Sequence, residues 1–272
     1  MVRKMVLRAV ILLSLLSSGT ASFGADQIVV NGSTTVLPVA QAAAEEYMKS
    51  RTDVSISISG GGSGNGIKAL IDQTTDIADS SRFLKDSEVK SALEKGVYPV
   101  PLRIAMDAIV PIVHPRNPVQ DLTIEQLSLI YQGKIKNWKE VGGEDLKIVI
   151  VSRDTSSGTY EVWEEKVLHK AKVTPRAQLQ ASNGAVSQAV SRNRYAIGYI
   201  GFGYLNQDVK ALKVNGIEAT MESALAGVYP VSRPLFMFTR GWPTGAVSDF
   251  MNYILSPKGQ EIVKKEGYIP LY

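Results

Sequence analysis

Residues 54–71 read VSISISGGGSGNGIKALI, and that stretch decides the fold class. Val54, Ile56 and Ile58 alternate with serines, the period-two pattern of a strand with one buried face. From Gly60 to Gly66 no apolar side chain follows. Helical spacing then begins in IKALIDQ (67–73). A strand that opens through a glycine loop into a helix is the repeating unit of a layered α/β protein.

The same plan recurs in both directions. Upstream lie a strand over 28–31, the loop Gly32-Ser33-Thr34-Thr35 and a helix over 38–50, with Pro38 suited to a first helical turn. Downstream, a short strand over 76–78 ends at Asp79-Ser80-Ser81-Arg82. The middle of the chain offers strands over 109–113 and 147–151, a helix over 124–131, the loop Ser152 to Tyr160, a helix over 161–170 and a strand over 196–200. A strand over 235–238 and helices over 247–255 and 257–265 close the chain. No low-complexity linker divides it. The expectation is two α/β lobes joined by crossing segments near 104–112 and 198–205, with 26–105 and 204–272 in lobe I and 106–203 in lobe II. Ligands in open α/β sheets bind beyond the carboxyl ends of the strands.

With 272 residues, 44% hydrophobic and 21% charged, the chain has apolar material for one large domain or two small ones. Residues 1–25 read as a secretory leader: Arg3, Lys4 and Arg8, an apolar run from Ala9 to Leu16, then small residues up to Gly24 and Ala25. Removing 25 of 272 residues leaves 247, and losing those three cations lowers the net charge from +4 to +1. Bulk charge therefore argues for neither nucleic acid nor a membrane surface. The apolar run is short for a membrane span, which needs about 20 residues. Cysteine is absent, which excludes disulfides, thiol catalysis, cysteine-ligated metal and a lipid-modified cysteine at the cleavage site. A periplasmic protein without a lipid anchor is expected.

Four loops share one chemistry: Ser33-Thr34-Thr35, Gly62-Ser63-Gly64, Ser80-Ser81-Arg82, and Arg153 with Ser157-Gly158-Thr159. At least three precede helices, whose first N–H groups lack intrahelical acceptors and carry the positive end of the macrodipole. Glycine lets the backbone approach a ligand, hydroxyls donate at adjustable angles, and arginine supplies a fork matched to an oxyanion. Any one of these loops is an ordinary cap or turn on composition alone. Recurrence at strand ends is what points to a small desolvated oxyanion.

Other chemistries find less support. Lys68 falls one place late for GxxxxGK[ST], and Gly62-x-Gly64 does not complete GxGxxG. Asn65 stands where GxSxG requires glycine. His114 and His169 form no HExxH-type pair, and Glu45-Glu46 and Glu164-Glu165 read as solvated helix faces. No metal, cofactor or catalytic residue is expected.

The motifs NGSTTVLP (31–38), GGGSGNGIK (60–68), DIADSSR (76–82) and RDTSSGTY (153–160) resemble those of the periplasmic substrate-binding proteins of phosphate ABC transporters, the PstS-like type 2 periplasmic binding proteins. Weaker matches at 127–143, 196–205, 229–238 and 256–272 extend the resemblance over nearly the whole mature chain. It implies an α/β fold of two lobes, each a mixed sheet flanked by helices, with the ligand cleft between them. It further implies a monomeric, non-enzymatic receptor that captures inorganic phosphate and delivers it to transmembrane permease subunits.

Carried over by position, the resemblance makes Thr34, Thr35, Val36, Leu37 and Ser63 phosphate-binding residues of one lobe. Arg153, Ser157, Gly158 and Thr159 would serve from the other, with Ser33, Ser81 and Arg82 as further candidates. Family members place a proton-accepting aspartate where this chain has Ser81. Asp107 is the alternative acceptor, with Asp79 and Asp154 behind it; Asp154 is expected to orient Arg153. Trp138, Arg233 and the aromatic residues of 195–204 read as packing or structural pairs. The alternatives are a binder of sulfate, molybdate or tungstate, and a secreted phosphatase.

Overall fold

The computed structural model describes residues 25–272; the leader expected over 1–25 lies outside the described residues except for Ala25. The chain begins with β1 (Asp26–Gly32), α1 (Leu37–Ser50), β2 (Val54–Gly60), α2 (Ser63–Ile71) and β3 (Ile77–Ser80). β1 pairs in parallel with both β2 and β3, so the carboxyl ends of all three strands point one way. α2 begins at Ser63, four residues before the apolar spacing does. Close packing explains this: a Cβ at Gly66 would lie 2.5 Å from the Asn31 carbonyl oxygen, so glycine lets the helix start rest against the end of β1.

After α3 (Asp86–Glu94) comes the fourteen-residue β4 (Val100–Val113). The middle of the chain forms β5 (Asp121–Leu122), α4 (Ile124–Tyr131), β6 (Val149–Arg153), α5 (Gly158–Lys166) and β7 (Gln178–Gln180). α6 (Asn183–Ser191), β8 (Ala196–Gly201), β9 (Lys210–Ala211), β10 (Lys213–Val214) and α7 (Met221–Leu225) follow. The tail supplies β11 (Ser232–Thr239), α8 (Gly245–Leu255) and α9 (Pro257–Lys265).

Hydrogen bonding runs in the order β2-β1-β3-β11-β4-β8-β6-β7, with β9 also on β4 and β5 paired separately with β10. β4 serves both ends of this path. Between Val100 and Ala108 it pairs antiparallel with β11, and from Ile109 to Val113 it pairs antiparallel with β8. Two apolar cores lie on either side of that change of partner. One contains Ile28, Val39, Ile104, Leu235 and Phe250. The other contains Val110, Leu127, Trp163, Tyr199, Leu212 and Val231. Each core is large enough to hold a lobe, and β4 is the strand common to both. No helix among the described residues is long and apolar enough to cross a membrane.

Candidate anion-binding site

Three helix starts converge between the cores. Before α1, the Ser33 hydroxyl accepts from the Thr35 amide at 3.1 Å, and the Ser33 carbonyl accepts from the Leu37 amide at 3.1 Å. Before α5, the Ser157 hydroxyl accepts from the Tyr160 amide at 3.2 Å. α2 starts after Gly62, whose φ of +99° suits glycine, and a Cβ there would lie 2.5 Å from the Ser156 hydroxyl. The first amides of each helix have no intrahelical acceptor and sit at the positive end of its dipole.

Side chains from both halves of the chain meet at these helix starts. Thr35 Oγ1 and Thr159 Oγ1 are 3.0 Å apart. The Ser63 hydroxyl accepts from the Ser81 amide at 3.1 Å and stands 3.3 Å from the Ser81 hydroxyl. Gly158 presses against this pair: a Cβ on it would lie 2.5 Å from Ser63 Oγ and 2.7 Å from Ser81 Oγ. Ser33, Thr34, Thr35, Val36, Ser63, Ser81, Ser157, Gly158 and Thr159 are therefore brought together in one buried place.

Arg153 supplies charge at the carboxyl end of β6. It is 1% exposed, and its Nε and Nη2 donate to the carbonyls of Gln180 and Ala181 at 3.1 and 2.9 Å. Both partners are neutral. Nη1 is buried with no hydrogen-bond partner. Burial pushes the guanidinium pKa down, so the site holds a cation whose charge nothing at hydrogen-bond distance balances.

The family described as a PBP superfamily domain matches residues 17–258. This chain belongs to the PBP superfamily. The phosphate-binding protein PstS of Bacillus subtilis is 33% identical over 246 residues, spanning 90% of this chain and 80% of that protein. PstS of Staphylococcus epidermidis is 34% identical over 252 residues, with 88% and 77% covered. A Clostridium perfringens substrate-binding protein, crystallised with bound phosphate, superposes with a TM-score of 0.86 at 40% identity, covering 91% of this chain and 100% of that one. An ABC-type phosphate transport receptor of Vibrio cholerae gives 0.74 at 31% identity, covering 89% and 99%. Like these neighbours, the PBP superfamily chain described here is two-lobed.

Not every expected residue of this PBP superfamily protein lies in the cluster. Arg82 turns to Glu88, donating from Nη2 at 2.6 Å and from Nη1 at 2.7 Å, and its Nε lies 2.8 Å from Glu161. Asp107 is fully buried, but Arg233 donates to its Oδ2 at 3.0 Å from Nε and 2.8 Å from Nη2, and the Phe202 amide donates to its Oδ1 at 2.9 Å. Burial pushes the Asp107 carboxyl upward, against the pull of Arg233. Asp154 does not hold Arg153; its Oδ1 accepts from the Ser156 amide at 2.8 Å. Among the described residues, no group of three or more His, Asp and Glu could hold a metal ion.

Two residues that the sequence reading did not place in the site join the cluster, and Arg233 also forms the structural pair expected of it, with Asp107. Arg233 donates from Nη2 to Thr35 Oγ1 at 3.2 Å and to Thr159 Oγ1 at 3.0 Å. Asn183 donates from Nδ2 to Thr34 Oγ1 at 3.1 Å and to Thr35 Oγ1 at 3.0 Å. A signal for Asn183 existed: Ser182 is an N-cap, and Val186 and Val190 share one helix face. For the contacts of Arg233 with the site there was none, because its partners lie 74, 126, 152 and 198 residues away in sequence.

Proposed function

We propose that this chain captures inorganic phosphate between its two lobes outside the cytoplasm and presents it to the permease subunits of an ABC transporter. In this reading it acts as a monomer after loss of a leader over 1–25, and its work is binding, not catalysis. The observation that carries the reading is Arg153, a buried guanidinium at the carboxyl end of β6, held by two carbonyls with Nη1 unused, five residues before α5 begins. A buried cation without a partner is costly, and a dianion with several acceptor oxygens removes the cost. The names of the relatives, phosphate-binding protein and phosphate transport receptor, support the same ligand.

Thr34, Thr35, Val36, Ser63, Ser81, Arg153, Ser157, Gly158 and Thr159 are the proposed binding residues. Leu37 belongs to the set through the helix start it opens. We assign Arg82 to the cleft mouth and Asp107 to the support of Arg233. For the lobes we propose 26–105 with 232–272, and 106–231. The second boundary moves from the expected 204 because Leu212, Val214, Ala224, Tyr229 and Val231 pack in the second core, while Leu235 re-enters the first.

The decisive experiment is titration calorimetry of the mature protein, freed of bound anion by reversible unfolding, with sulfate and molybdate as competitors near pH 5 and pH 8. Tight one-to-one phosphate binding that excess sulfate leaves intact supports the reading. Tight binding of another oxyanion with weak phosphate binding overturns it in favour of a different transport system. The commitment of both Asp107 oxygens within the protein favours taking sulfate seriously as that competitor, since a carboxylate facing the anion would repel it.

A further inference from the structure

We propose that Asn183 and Arg233 are positioning residues that make the Thr35 and Thr159 hydroxyls a one-way hydrogen-bond chain, ending in a Thr159 hydroxyl that can only donate to the bound anion. The proposal rests on the assignment of phosphate to this cluster and adds the direction of its protons.

The orientation of the Asn183 amide is set by the backbone. The Gly201 amide donates to Asn183 Oδ1 at 3.1 Å, so the opposite atom is Nδ2, with two hydrogens. One goes to Thr34 Oγ1 and one to Thr35 Oγ1. Asp107 fixes the Arg233 guanidinium in turn, by taking Nε and one hydrogen of Nη2. The other Nη2 hydrogen is shared between Thr35 and Thr159.

A hydroxyl oxygen has two lone pairs and one hydrogen. Thr35 Oγ1 accepts from Asn183 and from Arg233, which fills both lone pairs. Its hydrogen must therefore go to Thr159 Oγ1, 3.0 Å away. Thr159 Oγ1 then accepts from Arg233 and from Thr35, so it too is filled. Its own hydrogen is left for a ligand oxygen. Each link polarises the next, so the last donor is stronger than an isolated hydroxyl.

Specificity follows from that direction. Thr159 cannot accept the proton that hydrogen phosphate carries, so the ligand oxygen facing it must be unprotonated. The protonated oxygen is turned toward the Ser63 and Ser81 hydroxyls, whose mutual contact of 3.3 Å allows either to accept.

A double-mutant cycle on phosphate affinity tests the chain, using Thr159→Val, Asn183→Ala and both together, with Arg153→Ala as the site control. Each single change is expected to weaken binding about 10-fold, as loss of a charge-assisted bond does. The double variant is expected to bind more tightly than the product of the two single losses predicts, because Asn183 acts through that hydroxyl as well as through Thr34. Losses that multiply in the double variant overturn the chain and leave Asn183 a packing residue. Should Asn183→Ala fail to fold, the wild-type phosphate complex gives the second measurement: a through-hydrogen-bond correlation to phosphorus from the Thr159 hydroxyl proton and none from Thr35. The reverse pattern overturns the proposal. Normal phosphate binding by Arg153→Ala, or none by the wild type, instead defeats the site assignment itself.

Discussion

Arg82 and Glu161 meet, Nε to Oε2 at 2.8 Å. Arg82 follows β3 and Glu161 lies in α5, which the proposed division puts in opposite lobes. Lys85 Nζ approaches the same Glu161 oxygen at 2.9 Å, and the Arg82 and Glu161 side chains are only 7% and 15% exposed. Burial works against the Arg82 charge, yet Glu88 and Glu161 hold its pKa above the ordinary value. The backbone adds a second tie nearby, with the Gly64 amide donating to the Ser156 carbonyl at 2.9 Å.

In the proposed two-lobe division these contacts form on closure, so they should slow release more than they alter capture. Glu161→Gln keeps the shape and removes the charge, leaving Arg82 its bond to Glu88. Phosphate dissociation should accelerate about fivefold, equivalent to about 1 kcal/mol, while association stays within about twofold. Stopped-flow release into a phosphate scavenger measures both rates. A changed association rate with unchanged release would place the ion pair outside the closing step.

Arg153 should be the most costly single truncation. Arg153→Ala removes a buried cation that donates only to neutral carbonyls, with an expected loss of about 2–4 kcal/mol in phosphate binding. Lysine should rescue little, because Nε and Nη2 are already held by Gln180 and Ala181 and a single ammonium cannot satisfy those carbonyls and the anion together. Calorimetry on both variants gives the comparison, and near-normal affinity in the lysine variant would mean that charge alone matters there.

At Gly158 the constraint is space. A methyl group there would stand 2.5 Å from Ser63 Oγ and 2.7 Å from Ser81 Oγ, contacts made between the lobes. Gly158→Ala should therefore fold with unchanged thermal stability in phosphate-free buffer but lose at least about 100-fold in affinity, since closure would force van der Waals overlap. Small-angle scattering with and without phosphate should show compaction in the wild type and none in the variant.

Asp79 predicts a pH dependence of stability. It is 1% exposed, neither carboxylate oxygen has a hydrogen-bond partner, and burial pushes its pKa well above the ordinary range. The folded protein keeps this proton at pH values where the unfolded chain, titrating near pH 4, has lost it. Unfolding then releases a proton, so stability falls as pH rises above about 4 until the folded pKa is passed. Asp79→Asn cannot titrate, and its stability relative to wild type should increase from pH 4 to pH 8. Denaturant titrations in phosphate-free buffer at both pH values measure the difference, and parallel behaviour would show that Asp79 is solvated in the folded state.

How far the sequence could be read depended on how local the signal was. α4 occupies the expected 124–131 because Thr123 and Gln126 form a capping box, and α9 occupies 257–265 because Ser256 caps it and Pro257 opens it. β4 was legible only in its second half. In its first half the exposed Pro101 and Arg103 break the apolar run, whereas the second half is buried almost throughout. The hydroxyl and glycine loops announced an anion site because helix starts are local features. The network around them was not local: Arg153 takes its orientation from carbonyls 27 and 28 residues away, where Asp154, the sequence neighbour, had been the natural candidate.

β11 lies between β3 and β4, antiparallel to both, although it is the last strand to be synthesised. The sheet of the first lobe therefore has a central gap until residue 239 has emerged, while the second lobe draws its strands from one continuous stretch. Pairings of such wide sequence separation form slowly, so the second lobe is expected to assemble first. Arg233 arrives on that late strand. The nascent chain consequently carries an incomplete hydroxyl cluster until that strand has emerged, because Arg233 supplies the donors to Thr35 and Thr159 from it.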